Sequence, residues 1–287
     1  MTVRVFRRAA VLVRHLPGLR RAEWLWALLR KPYHVLLGSG GRGVSILVGG
    51  KAEVAMPAEF TGGEWEKYEP ETIAKFAEWV RRNPAGVVLD LGSSIGIFSA
   101  VALFADPEVE VVAFDSDLAS LAATRRMCQY ATGDRLRLVY GFVAESPTER
   151  VTLVEAVAST TAALVRSGVR GDPGALRYVC IADANTAAVP ARRLDDLFGE
   201  PPAHGRRMLI KCDVEGAELL VLLGAKSLLQ HGHTEMLLSV HPPALPAYGH
   251  TVEQVRAFVE GCGYAIECFA VDHEEHWWCK PALPRAC

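Results

Sequence analysis

The run Val87-Val-Leu-Asp-Leu-Gly-Ser-Ser-Ile-Gly-Ile-Phe-Ser99 constrains the fold more than any other stretch of the chain. Three apolar residues, Val87 to Leu89, read as a buried parallel strand. The strand ends on an acid, Asp90, and the chain then turns through Gly92, Ser94 and Gly96 into a helical pattern, Ile97 to Phe104. Strand, small-residue turn and helix together make a nucleotide-type cradle, because glycine lets the backbone approach a ligand closely. The competing reading is an ordinary tight turn with Asp90 capping the helix.

A dinucleotide cradle usually carries three glycines, with the pyrophosphate on the helix N-terminus. Here there are two, and an acid stands two residues before the first. An acid at a strand tip repels a diphosphate and suits a cationic amino-acid ligand. The expected cofactor therefore shifts from NAD to S-adenosylmethionine, whose ammonium and sulfonium are both positive. A second apolar strand, Val109 to Phe114, ends in Asp115, placed to accept both ribose hydroxyls. Asp117 is the near competitor for that role.

Bulk properties agree with a soluble enzyme-sized domain. The chain has 287 residues, half of them hydrophobic and 22% charged, enough for one large core or a core plus an extension. A formal net charge of −2 gives no reason to expect nucleic acid as a partner. Residues 1–31, however, hold eight Lys or Arg against one acid, Glu23. Interleaved with Val11, Leu12, Leu16, Leu19, Trp24 and Trp26, they read as a basic amphipathic helical cap over residues 1–37. Packing on the domain and weak docking on anionic membranes or a partner are its two readings. Seven cysteines without a Cys-x-x-Cys pair point to a reducing, cytoplasmic setting. No apolar run approaches the roughly 20 residues of a membrane span, and no signal peptide is expected.

From residue 85 strands alternate with helices, which predicts a doubly wound, mostly parallel α/β sheet. Strands are expected at 87–90, 109–115, 136–143, 150–157, 207–213, 235–241, 264–271 and 276–280. Helices are expected near 96–105, 117–131, 193–198, 215–229 and 251–262. Upstream, Glu69 to Val80 reads as a helix burying Ile73, Phe76, Ala77 and Val80, and Val44 to Met56 as two short β runs around Gly49-Gly50. The last two strands are joined too tightly for a crossover, so they must form an antiparallel hairpin. Residues 158–186 read as a surface insertion. The expected division is an N-terminal extension, 1–57, and a cofactor-binding domain, 58–287.

Several segments resemble the FkbM-type methyltransferases. Leu209-Ile-Lys-Cys-Asp-Val-Glu-Gly-Ala-Glu218, followed by Leu223-Gly-Ala225, looks like the signature of that family. Val189-Pro-Ala-Arg-Arg-Leu-Asp-Asp-Leu197, Tyr68-Glu69-Pro70, the Asp90–Gly96 turn and Ala113-Phe-Asp-Ser-Asp117 fall in the family's order. Ser116 stands where the family commonly has proline. The resemblance covers roughly residues 60–280. It implies a Rossmann-like methyltransferase fold and S-adenosylmethionine-dependent methyl transfer, mostly to oxygen, on small molecules, sugars or lipid-linked glycans. The expected cofactor-binding residues are Glu69, Asp90, Gly92, Ser94, Gly96, Asp115, Ser116 and Val143. The alternatives are a catalytically silent cofactor-binding module that docks through its basic N-terminus, and an NAD-dependent oxidoreductase.

Methyl transfer to an alcohol needs proton removal by a base or a metal. Asp213 ends a strand on the side where open α/β sheets bind ligands, and Glu215 follows it. Glu218 reads as a charge complementing a helix N-terminus. In the methyltransferase layout the antiparallel strand inserts beside the strand Glu235 to Val240. That brings the turn Asp272 to Glu275 to the rim of Asp213 and His241. Asp213, Glu215 and His241 are therefore the expected catalytic residues. Asp213, His241, His273 and His276 are the expected ligands if a divalent metal is bound, and His241 is the expected base if none is. Trp277 and Trp278 are expected in the core.

Overall fold

A computed structural model of the chain describes residues 29, 42–145, 191–198, 206–271 and 274–282. The basic cap, the strand expected at 150–157, the insertion 158–186 and His273 lie outside these residues, apart from Leu29. Seven strands form the central sheet. In chain order they are β3 (Val87–Leu91), β4 (Glu110–Asp115), β5 (Leu136–Tyr140), β8 (Met208–Asp213), β9 (Thr234–Val240), β10 (Tyr264–Val271) and β11 (Glu275–Pro281). Their spatial order is β10-β11-β9-β8-β3-β4-β5. The five strands from β9 to β5 are parallel. β11 runs antiparallel to both β9 and β10, so the C-terminal hairpin is inserted where the sequence pattern places it.

Two cores follow from strand alternation, since successive side chains point to opposite faces. On one face Val88, Leu209, Leu237 and Trp278 pack against helices α1 (Pro70–Arg82) and α2 (Ile97–Ala105). The apolar residues read on α1 are those it buries, and Phe76 meets Phe98 of α2 edge-on at 5.1 Å. On the other face Leu89, Leu91, Ile210, Cys212, Leu238 and Trp277 pack against α5 (Glu218–Leu223), α6 (Lys226–Gln230) and α7 (Val252–Gly261). Both tryptophans are buried. Two further helices, α3 (Leu118–Met127) and α4 (Leu194–Phe198), flank the parallel half. No helix among the described residues is long and apolar enough to cross a membrane.

The hairpin of β1 (Val44–Val48) and β2 (Ala52–Met56) shares its core with α1 and α2. Two boundaries differ from those read in the sequence. The strand expected at 136–143 breaks at Gly141 into β5 and the two-residue β6 (Phe142–Val143), which pairs with β7 (Ala191–Arg192). The helix expected at 215–229 is two helices. Asp195 of the Arg-Arg-Leu-Asp-Asp segment accepts from Ser227 N and Leu228 N, so its carboxylate starts α6 as a separate element.

Candidate active site

The C-terminal ends of β3, β4, β8 and β9 make one rim, where open α/β sheets bind ligands. Gly92, Ser94 and Gly96 all have positive φ (72°, 50° and 81°), so the turn after β3 passes through three left-handed residues. Gly92 is needed there by the protein's own chain. A Cβ on it would lie 1.9 Å from the carbonyl oxygen of Asp213, which seats the first turn directly on the tip of β8. Gly96 packs on Thr124 of α3, where a Cβ would lie 2.7 Å from Cγ2.

Asp90 is wholly buried, and its carboxylate is engaged inside the fold. Oδ2 accepts from Ser99 N and Oγ at 3.1 and 2.6 Å, and Oδ1 lies 3.3 Å from Lys211 Nζ. Its charge is thus compensated within the fold, whereas the strand-tip reading has it presented to a ligand. Asp117 is likewise committed: it caps α3, accepting from Ala119 N and Ser120 N. Asp115 is the acid left facing the cradle. It accepts from Ser94 N at 2.8 Å and Asp117 N at 2.9 Å, one bond per oxygen, which leaves each oxygen a lone pair for a ribose hydroxyl. Burial raises its pKa to about 6, against the pull of those two amides. Ser116 follows it, half-buried, and Val143 is buried in β6.

The second half of the rim is built around His241. Its Nδ1 lies 2.7 Å from Glu218 Oε1, an oxygen that also accepts from Gly216 N at 2.9 Å. Its Nε2 faces three carboxylates: Glu274 Oε2 at 2.5 Å, Asp213 Oδ1 at 3.6 Å and Glu215 Oε2 at 3.7 Å. Burial alone would lower the pKa of His241, but the bonds to Glu218 and Glu274, with Asp213 and Glu215 beside it, push it well above its ordinary value. Asp213 moves the other way. Burial opposes its ionisation, yet Lys211 and His241 hold its pKa below the usual range. Glu215 is raised, chiefly by burial.

Lys211 joins the two halves. Buried beneath the rim, its Nζ donates to Gly92 O at 3.0 Å and lies 3.5 Å from Asp213 Oδ2 as well as near Asp90. Burial would strip its proton, but Asp213, Asp90 and Glu69 keep it charged and raise its pKa. Glu69 enters from the start of α1 in a left-handed conformation, φ 37°. Burial, with Asp213 and Glu274 nearby, raises it to about 8. Glu69, Ser94 and Glu215 are three of the four non-glycine residues with positive φ among the described residues. Strain of this kind gathers at functional sites.

Asp213, Glu215 and His241 therefore converge, and His276 joins them through Glu274, whose Oε1 is 3.5 Å from His276 Nε2. The buried Ser239 hydroxyl meets His276 Nδ1 at 3.2 Å. Three participants escape a sequence reading. Glu218 occupies the first turn of α5, as read, but is fully buried as the partner of His241 rather than an exposed complement to a helix dipole. Glu274 and Lys211 carry no ligand-like spacing; only the insertion of β11 and the register of β3 with β8 bring them in.

Acids outnumber cations around this rim, and burial, with Asp213 and Glu274 adding to it, raises Glu69 to about 8. A ligand with a sulfonium and an ammonium fits that donor set, and Asp115 fits its ribose. The sheet order, the left-handed turn and the rim acids define a Rossmann-like, S-adenosylmethionine-dependent methyltransferase. Residues 90–266 match the methyltransferase FkbM domain, and the chain belongs to that family. Among solved structures it is similar to a methyltransferase FkbM from Methylobacillus flagellatus KT, at 15% identity over 88% of this chain and 60% of that one, with a TM-score of 0.43. It is also similar to a precorrin-6y C5,15-methyltransferase from Geobacter metallireducens GS-15, at 14% identity over 73% and 87%, with a TM-score of 0.42. No curated protein matches the chain.

Proposed function

We propose that this methyltransferase acts on a hydroxyl oxygen of a small molecule, a sugar or a lipid-linked glycan. One observation carries the reading: carboxylates able to accept a proton stand at the rim of the cofactor cradle, Asp213 and Glu215 lying 3.6 and 3.7 Å from His241 Nε2. An amine that arrives unprotonated needs no such group, whereas an alcohol must lose its proton as its oxygen attacks. When bound, S-adenosylmethionine supplies an electrophilic methyl group on a sulfonium that leaves as a neutral thioether. Glu215 is the more exposed of the two carboxylates, and its raised pKa makes it the stronger base. It is the residue an incoming hydroxyl reaches first, and the one that takes the proton. His241 holds it in place electrostatically, while the like charge of Asp213 helps to keep its pKa up.

The test is S-adenosylhomocysteine release across alcohols, sugars, glycolipids and amines, with the new methyl group located in the product by NMR. O-methyl products are expected. Products methylated only on nitrogen or carbon would overturn the assignment. Glu215→Gln should lower kcat by about 100-fold or more, the usual scale for losing a general base, with cofactor affinity unchanged.

A further inference from the structure

We propose that Asp213, His241 and Glu274 form a divalent-cation site, with Glu218 as the outer partner that orients the imidazole. One Asp oxygen, one Glu oxygen and a ring nitrogen of these residues lie within 4.8 Å of one another. Metal–oxygen and metal–nitrogen bonds of about 2.0–2.2 Å place neighbouring ligand atoms about 3.0–3.4 Å apart. The 3.6 Å from His241 Nε2 to Asp213 Oδ1 is near that edge, and the 2.5 Å to Glu274 Oε2 opens to it with a small side-chain rotation.

The stronger argument comes from the far side of the ring. A metal-bound histidine almost always donates its other nitrogen to a carboxylate or carbonyl, which fixes tautomer and orientation. Glu218, wholly buried, does this at Nδ1 and is itself fixed by Gly216 N. With Nδ1 donating, Nε2 faces three carboxylates, and a divalent cation there would take the place of the proton that the imidazolium otherwise shares with Glu274. The other oxygen of Glu218, Oε2, is buried without a hydrogen-bond partner among the described residues, and four carboxylates, those of Asp213, Glu215, Glu218 and Glu274, surround the one imidazole.

Glu274 also gathers with Glu69 and His276, but His276 Nδ1 faces the neutral Ser239 hydroxyl, a weaker support than a carboxylate. The first group is therefore the site. Its mixture of carboxylate oxygens with one imidazole suits a hard or borderline ion such as Mn2+, Mg2+ or Fe2+ over soft ions. The consequence for catalysis rests on the hydroxyl-methylation reading: an ion held here makes an alcohol beside it more acidic and aligns its oxygen. The site itself does not depend on that reading.

The experiment uses Mn2+ and the full chain after chelation, without cofactor or acceptor, so its outcome is independent of any methyl transfer. Electron paramagnetic resonance should show one bound Mn2+ per chain, with nitrogen hyperfine coupling from one imidazole. Glu274→Gln and His241→Gln should each weaken binding by at least tenfold. Glu218→Gln should weaken it 10- to 100-fold, whereas the exposed Glu267→Gln should bind as the wild type does. If the variants fail to fold, the nitrogen coupling in the wild type decides. Failure of the wild type to bind Mn2+, or binding without nitrogen coupling, would overturn the proposal and leave a metal-free imidazolium–carboxylate network.

Discussion

Asp90 and Lys211 are register partners on adjacent parallel strands, and their charges meet at 3.3 Å beneath the rim. Both are buried, so neither charge is relieved by water. Removing one partner of such a pair leaves the other uncompensated, at a cost of about 3–5 kcal/mol. Lys211→Met should therefore lower stability on that scale in urea unfolding. The double variant Lys211→Met, Asp90→Asn should recover part of the loss, because it removes the stranded charge as well. Additive losses would show that the two residues act separately.

Asp115 is the acid left open to the cradle once Asp117 has capped α3. Asp115→Ala should weaken S-adenosylmethionine binding by about 1.5–3 kcal/mol, the scale of charge-assisted hydrogen bonds. Calorimetry on the folded variant reads this directly. Unchanged affinity would take Asp115 out of the site.

Cofactor affinity should depend on pH in a definite direction. Glu69 titrates near 8 and Asp115 near 6 in the free protein. A cationic ligand with ribose hydroxyls favours both carboxylates ionised, so binding releases protons and tightens as pH rises from about 5 to 9. Calorimetry in buffers of different ionisation enthalpy should detect that release. Glu69→Gln should remove the upper step and leave the lower one.

The same carboxyl has a stability signature. A pKa raised from 4.5 to about 8 means that the folded state holds a proton the unfolded chain has lost. The contribution is complete below pH 4.5 and disappears as pH rises through 8. Glu69→Gln, which cannot ionise, should melt above the wild type at pH 9 and lose that advantage by pH 5. A constant difference across this range would show that Glu69 is not strained by its charged neighbours.

Gly92→Ala tests how the cradle is seated. The substitution forces a Cβ onto Asp213 O in a backbone conformation with φ of 72°. The left-handed conformation alone costs an L-residue about 1–2 kcal/mol. The clash adds to that by prising the turn from β8, so the variant should lose both stability and cofactor binding. Retention of both would mean that the turn can move away from Asp213 without consequence.

Much of this molecule is local, and the local part is what the sequence by itself determined. The apolar run before Asp90, the left-handed turn at Gly92 and Gly96, the amphipathic α1 and the short link between β10 and β11 each depend on neighbouring residues, so pattern and spacing suffice to place them. Rim membership of Asp213 and His241 follows from topology, since residues ending parallel strands arrive at one edge. What a rim residue faces is not local. Asp90 reads as an acid presented to a ligand, and only the register with β8 delivers Lys211 to neutralise it. Glu218 reads as a helix-terminal charge, and only the packing of α5 against the end of β9 buries it behind His241. Glu274 has no motif, and the pairing of Glu275 with Val240 sets it beside His241. Tertiary structure decided these three because the strength of a charge pair depends on burial and on ångström-scale distances between residues far apart in the chain, neither of which is encoded in spacing along it.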